Sequence, residues 1–505
     1  MADYMERDKL KYPSLSSAFK FSMMALALCA MNAQAAAALS DTEIRTILKQ
    51  RIDQEKMAAS IVVGIIDDNG SRVISHGYAS LEDRKLANAD TVFEIGSITK
   101  VFTSLVLMDM NTKGELSLND PVAKYLPKSV TVPGRAGKQI SLRDLSTHVS
   151  GLPRMPGNFA PKDPANPYPD YTQDLLYQFL STYQLPRDIG SKMEYSNLGV
   201  GLLGHVLCLR AGVDYESLVK SRILLPLKMQ DTGISLTADM KKHLAIPYIV
   251  TEEGASEATL TATSNWDLGR FDGAGGLRSS MTDMLRFLAA NMGKQESPVQ
   301  AIVDKMQEPL DSQALGKPVR LAWGGGNKYG SEIISHAGAT GGYRSYIGFD
   351  RKAGKGVVVL SNATTDVDDI GSKIINSEYR LRQLKMPLSF VQAIEKAGYD
   401  QVLAVYQDLK ARDADFYLRE EVLNEWAYAK MKTGKPQSVV ELFKLGVYLY
   451  PKSANTYDSL AEAYETAGMN ELAKSNYQKS LELNPQNQNA IQRLQVLANG
   501  SKGGF

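Results

Sequence analysis

The chain has 505 residues, 44% of them apolar and 22% charged, and its 57 basic and 56 acidic residues leave a formal net charge of +1. That length leaves room for two or three domains, with the composition of a soluble globular protein. The even charge balance, with no lysine- or arginine-rich tract, excludes nucleic acid or an anionic membrane surface as an expected partner.

The N-terminus reads as an export signal spanning residues 1–35. Lys9, Lys11 and Lys20 precede the apolar run Phe21 to Met31, and Ala33-Gln34-Ala35 offers an A-x-A cleavage site. The run is too short to span a bilayer comfortably, so a periplasmic or secreted location is expected, with no membrane span in the mature chain. Cleavage after Ala35 would leave Cys208 as the single cysteine. No internal disulfide could then form, and the fold would depend on its core. Cys208 itself lies in the apolar run GLLGHVLCLRAG and reads as a small buried hydrophobe.

Asp41 to Glu55 has helical patterning. Ser60 to Ile66 and Arg72 to Tyr78 read as two strands around the turn Asp67-Asp68-Asn69-Gly70. Phe93-Glu94-Ile95-Gly96-Ser97-Ile98-Thr99-Lys100 follows, opening an apolar run of helix length, Val101 to Met110. Pro153 to Tyr171 is dense in Pro, Asn, Asp and Gly without periodicity, and a loop of that length suggests a lid over a site. Tyr195-Ser196-Asn197 precedes a second apolar helix, Leu198 to Ala211. Gly341 to Asp350 and Lys355 to Asn362 read as paired strands, with His336-Ala337-Gly338 at the start of the first. Strands at both ends with helices between suggest an antiparallel sheet whose first and last strands are neighbours.

Three of these stretches carry chemistry. Residues three apart on a helix are neighbours, so Lys100 would stand beside the Ser97 hydroxyl and could serve as the base a serine nucleophile needs. The pattern S-x-x-K is weak alone, since Ser17/Lys20 and Ser217/Lys220 also match it. Ser97, however, follows a glycine and opens a helix, whose free N–H groups could stabilise an oxyanion. Tyr195 and Asn197 form the chain's one Y-x-N. A tyrosine near cations loses its proton more easily, and an asparagine amide both donates and accepts, which suits a substrate amide. At His336, Ala337 and Gly338 the small residues would admit a ligand close to the backbone.

In that order and separation, Ser97-x-x-Lys100, Tyr195-x-Asn197 and His336-x-Gly338 resemble the three motifs of the class C β-lactamase and penicillin-binding serine hydrolase family. FEIGSITKVFTSLVL, LSTHVSGLP and HAGATGGYRSYIGFD resemble it too, and the likeness covers residues 39–382. It implies an α/β fold in which helices flank an antiparallel sheet. It further implies that Ser97 is acylated, that Lys100 and Tyr195 share its activation, and that Asn197 contacts substrate. The N–H groups of Ser97 and Ala339 would form the oxyanion hole, with His336 and Gly338 lining the substrate site. His336 stands where the family usually has a lysine, and histidine is largely neutral near pH 7. The expected activity is acyl-enzyme hydrolysis of amide bonds in β-lactams or D-amino-acid peptides; the alternatives are a carboxylesterase on small acyl esters and a scaffold acting through the C-terminal region.

That region, residues 388–497, is expected to be all-α. A period of 34 residues relates Ala427 to Ala461, Phe443 to Tyr477 and Pro451 to Pro485, and closely resembles the tetratricopeptide repeat. A protein or peptide ligand of these repeats is an open expectation. No two of the five histidines, His76, His148, His205, His243 and His336, fall at metal-ligand spacing, so neither metal nor cofactor is expected. Gly199 to Gly204 matches G-x-G-x-x-G inside a helical run, which favours helix packing over a dinucleotide site. His148 and His205 read as structural.

Overall fold

The structure is a computed structural model describing residues 38–251, 258–310, 315–316, 319–414, 416–433 and 436–500. The export signal expected at residues 1–35 lies outside the described residues.

A seven-stranded antiparallel sheet organises the first part of the chain. Its strands are β1 (Ser60–Asp67), β2 (Gly70–Ser80), β3 (Lys85–Leu86), β4 (Gly324–Lys328), β5 (Ser331–Ala339), β6 (Arg344–Asp350) and β7 (Lys355–Ser361), in the spatial order β4-β5-β6-β7-β1-β2-β3. The first and last strands are thus neighbours, with Ile61 opposite Ser361 and Val63 opposite Val359. The run SIVVGII is apolar at nearly every position because β1 is covered on both faces. On one face Ile61, Val63 and Ile65 pack with Val357, Val359 and the helices α1 (Asp41–Lys49) and α5 (Asp368–Ile375). On the other, Val62, Ile66, Val358 and Leu360 join a larger core that includes α4 (Met281–Met292).

Two further helices complete that core. α2 (Thr99–Thr112) is buried at every position from Thr99 to Met110, and α3 (Asn197–Ala211) at every position from Leu198 to Leu207. A helix apolar all round belongs inside a protein, which is why neither shows a clear polar face in the sequence. Gly204 and Gly273 sit back to back, each with the other's Cα about 3 Å from where a Cβ would stand. The glycine-rich run in α3 therefore serves close helix packing.

His336 lies within β5, not at the start of the strand that follows. Gly341 and Gly342 make a tight reversal between β5 and β6, closed by Thr340 N–H donating to Tyr343 O at 3.1 Å. The reversal splits one expected strand into the end of a loop and a separate β6.

From Leu388 onward the described residues form helices with their own core around Phe390, Trp426, Phe443 and Tyr477. Helices starting at Glu420, Ala454 and Gln488 are spaced by 34 residues, as are those starting at Pro436 and Asn470. The Tyr417 hydroxyl donates to Leu381 O at 2.9 Å and Arg419 Nη1 to Gln383 O at 2.7 Å, fastening this array to the segment that leaves the sheet domain.

Candidate active site

Ser97 sits in a single 3-10 turn, Gly96–Ile98, that leads directly into α2. Two glycines permit this placement. Gly96 has φ +49°, and a Cβ there would stand 2.7 Å from Ala339 N; a Cβ on Gly338 would meet Ile95 O at 2.1 Å. The end of β5 therefore lies directly against the turn that carries Ser97. The small residue at 338 admits this neighbouring backbone. Ser345 Oγ–H locks the junction by donating to Ile95 O at 2.8 Å.

Lys100 Nζ lies 3.0 Å from Ser97 Oγ and 2.6 Å from the Ala274 carbonyl, and the side chain is fully buried. Burial disfavours the ammonium, and the nearby Arg154 charge adds to this, so the amine's pKa is driven well below its ordinary value. The Gly273-Ala274-Gly275-Gly276 segment is held beneath by Thr103, whose hydroxyl donates to Gly273 O at 2.6 Å. In sequence that segment is only glycine punctuation; its role as a carbonyl acceptor exists solely in three dimensions.

Tyr195 stands over the pair, its ring centroid 4.9 Å from Lys100 Nζ and 5.2 Å from the Arg154 guanidinium carbon. Nearby cations were expected to ease its ionisation. Burial outweighs them and raises the phenol to about 12, although interaction with Ser97 and the Arg154 charge pull the other way. At neutral pH Tyr195 keeps its proton, while burial pushes Lys100 in the opposite direction, toward the neutral amine.

The Tyr195-Ser196-Asn197 segment is pinned by the loop before it. Ser196 caps α3 through Gly199 N–H at 2.8 Å and donates its hydroxyl to Pro153 O at 2.6 Å. Ser196 N–H donates to His148 Nδ1 at 3.1 Å, and Asn197 N–H to Arg154 O at 3.0 Å. His148, which adopts φ +61°, is therefore an acceptor at Nδ1 and carries its proton on Nε2. Burial first, then the charges of Lys100, His336 and Arg154, lower its pKa to about 3. His205 is satisfied by the Tyr177 hydroxyl at 2.8 Å.

His336 Nδ1 lies 2.7 Å from its own chain's Ala337 O, so that nitrogen is the donor and Nε2 holds the lone pair. Burial, reinforced by Lys100, lowers its pKa to about 4. The imidazole is thus neutral at pH 7 and supplies no cation where the usual lysine would.

Ser97, Asn197, Ala339 and Thr340 line one small cavity of about 20 Å³ with Tyr168, Trp266 and Phe271. The Pro153–Tyr171 loop forms its outer wall. Tyr168 packs edge-on against Trp266 with ring centroids 5.2 Å apart, Trp266 Nε1–H donates to Ala165 O at 3.0 Å, and Asp267 N–H donates to Asn166 Oδ1 at 2.9 Å. Behind that wall Glu94 and Arg278, both buried, pair at 3.4 Å. Glu94 Oε1 also accepts from Trp266 N–H at 2.9 Å. Glu94 stands three residues before Ser97, but nothing in the sequence links Trp266 or Arg278 to it. Among the described residues no group of histidine, cysteine or carboxylate side chains could hold a metal, and no single helix is long and apolar enough to cross a membrane.

The model of the Beta-lactamase family matches residues 46–376. The D-alanyl-D-alanine-carboxypeptidase/endopeptidase AmpH of Escherichia coli is 31% identical over 51% of this chain, an alignment that spans 63% of AmpH's own length. A β-lactamase of Pseudomonas fluorescens is 25% identical over 64% of this chain and 94% of its own. Among solved structures, a β-lactamase/D-alanine carboxypeptidase from Yersinia pestis superposes with a TM-score of 0.57 at 25% identity, covering 67% of this chain and 97% of that one. With the Ser97 turn, a buried lysine and a tyrosine assembled against the end of β5, the match has a physical basis, and the chain belongs to the β-lactamase family.

Proposed function

We propose that this protein is an exported serine hydrolase that cleaves amide bonds of D-amino-acid peptides, and reacts with β-lactams, through an acyl-enzyme on Ser97. The observation that carries the reading is the fully buried Lys100 amine 3.0 Å from Ser97 Oγ. A neutral amine there takes the hydroxyl proton as Ser97 attacks the substrate carbonyl. The N–H groups of Ser97 and Ala339 receive the developing oxyanion, and one such donor is worth about 3–4 kcal/mol in the barrier. Tyr195, protonated at neutral pH, passes a proton to the leaving nitrogen. Asn197 orients the substrate amide, and water then releases the acyl group with Lys100 and Tyr195 again handling the proton.

The neutral His336 favours a second reading, a carboxylesterase on small acyl esters, because esters need no cation for a substrate carboxylate. The deciding experiment is a panel of D-Ala-D-Ala peptides, nitrocefin and p-nitrophenyl esters with wild type and Ser97→Ala. Peptide turnover lost with Ser97 supports the first reading. Rapid ester turnover, without peptide cleavage or a β-lactam adduct on Ser97, replaces it with the second.

The N-terminal signal supports a periplasmic or secreted location, which cell fractionation tests. The 34-residue helix spacing supports a tetratricopeptide-like array able to hold a peptide or protein partner. Deleting the chain after Leu388 should spare hydrolysis of small substrates if the array acts in recognition alone.

A further inference from the structure

The His336 substitution removes a cation from the β5 side of the site, and a different cation stands on the opposite side. Arg154 belongs to the loop after His148, and its backbone carbonyl accepts from Asn197 N–H at 3.0 Å and from Leu198 N–H at 3.2 Å. Those two bonds fix residue 154 relative to the Tyr195-Ser196-Asn197 motif. Its guanidinium carbon lies 5.2 Å from the centroid of the Tyr195 ring, the same ring that Lys100 approaches at 4.9 Å. The residue is solvent-exposed, so the charge meets water beside the Tyr195 ring.

Several exposed arginines hold a carboxylate, as Arg135 does with Asp188, Arg286 with Asp283 and Arg351 with Asp304. Among the described residues the Arg154 guanidinium has neither an ion pair nor a hydrogen bond. No carboxylate is among the residues lining the Ser97 cavity. His148 Nε2, buried and without a hydrogen-bond partner, is a further N–H donor behind the same tyrosine, its ring centroid 4.5 Å from that of Tyr195.

We propose that Arg154 is a specificity-determining residue that binds a free carboxylate on the substrate, supplying from the Tyr195 side the positive charge that His336 does not supply. A guanidinium offers a planar fork of donors that matches a carboxylate in two parallel hydrogen bonds. Stacking on Tyr195 leaves that fork's edge free for the ligand. The assignment rests on the serine-hydrolase reading of Ser97 but does not depend on whether the native acyl donor is a peptide or an ester.

The test uses the full-length protein and two aryl esters of phenylacetylglycine that differ only in the leaving group, one bearing a meta-carboxylate and the other a meta-carboxamide. Rates are compared at a pH where each variant's rate has levelled off, because Arg154 also lowers the pKa of Lys100. For Arg154→Met, kcat/KM on the carboxylate ester should fall by about 10- to 100-fold, as expected for a lost hydrogen-bonded charge, mainly through KM. The carboxamide ester should change by less than about 2-fold, and Arg154→Lys should recover part of the loss because it restores charge without the fork. Equal losses on both esters, or no loss on either, would overturn the proposal. Failure of wild type to cleave D-Ala-D-Ala peptides would instead count against the peptidase reading, leaving the ester ratio to judge Arg154.

Discussion

The sheet domain and the helical array use polar residues in opposite ways. Around Ser97 the protein buries Lys100, Thr99, Thr103, Ser104, Ser146, His148 and His336, and holds them with contacts between segments far apart in sequence. In the array the buried core is nearly all apolar, and charged groups form partly exposed links from one helix pair to the next. Tyr428 donates to Glu462 at 2.7 Å, and Asn489 donates to Asp458 at 2.8 Å and to Glu462 at 2.7 Å. Burying polar groups is costly unless they are bonded, so the domain that does so has committed stability to chemistry. The array has committed its polar groups to the spacing between helix pairs.

The strongest way to break the comparison is Ser97→Ala. It should lower hydrolysis by about 10⁶-fold without moving the unfolding transition of either region, as measured by burst-phase acylation and calorimetry. If the transition moves, the serine hydroxyl is part of the structure as well as the chemistry. Lys100→Met should lower kcat by about 10²- to 10⁴-fold. It should also stabilise the sheet domain at pH 7 by about 1–2 kcal/mol, because it removes a buried amine kept for function. An unfolded lysine binds protons more readily than buried Lys100, so wild-type stability rises with pH toward the ordinary lysine range. The advantage of Lys100→Met, read by urea titration, should accordingly shrink as pH rises from 7 to 10.

Acid should separate the two regions. His148 and His336 titrate at about 3 and about 4 when folded, against 6.5 when unfolded. The unfolded chain therefore binds more protons below pH 6.5, and stability is lost as pH falls through that window, by about 2 kcal/mol for each histidine at pH 5. The array contains no histidine, and its partly buried Asp458 has a raised pKa, which acts with the opposite sign. Hydrogen exchange at pH 7 and pH 5 should show protection falling in the sheet domain and holding in the array. The smallest effect expected is from Asn489→Ala, which removes two links between helix pairs and should cost about 1 kcal/mol, visible as a lower midpoint of the array transition alone.

The parts of the molecule legible in the sequence are those whose cause is local. The hairpin at Asn69-Gly70, the pairing of first and last strands, the Ser97–Lys100 neighbourhood and the 34-residue helix spacing each follow from a period or a turn. The Pro153–Tyr171 loop was readable as a cover, although it is held as a wall by Trp266. What could not be read arises from long-range approach. The Ala274 carbonyl, Arg278 as the partner of Glu94, and the free guanidinium of Arg154 all lie more than fifty residues along the chain from Ser97. The direction in which Tyr195 titrates was equally hidden, since it is decided by how much of the ring is buried and not by which cations stand nearby.

The Ala274 carbonyl has one more consequence, which follows from counting hydrogens and lone pairs on the Lys100 nitrogen. An ammonium has three N–H bonds, and the described structure places two acceptors, Ser97 Oγ and Ala274 O, within 3.0 Å of it. A neutral amine has two N–H bonds and one lone pair. With one N–H engaged by Ala274, rotation about the Cε–Nζ bond can turn that lone pair toward the serine hydroxyl. The carbonyl acts as a rotational stop: it fixes where one N–H points, while burial and the Arg154 charge, not the carbonyl, disfavour the ammonium. Residue 274 contributes this through its backbone, so no side-chain substitution there deletes the acceptor.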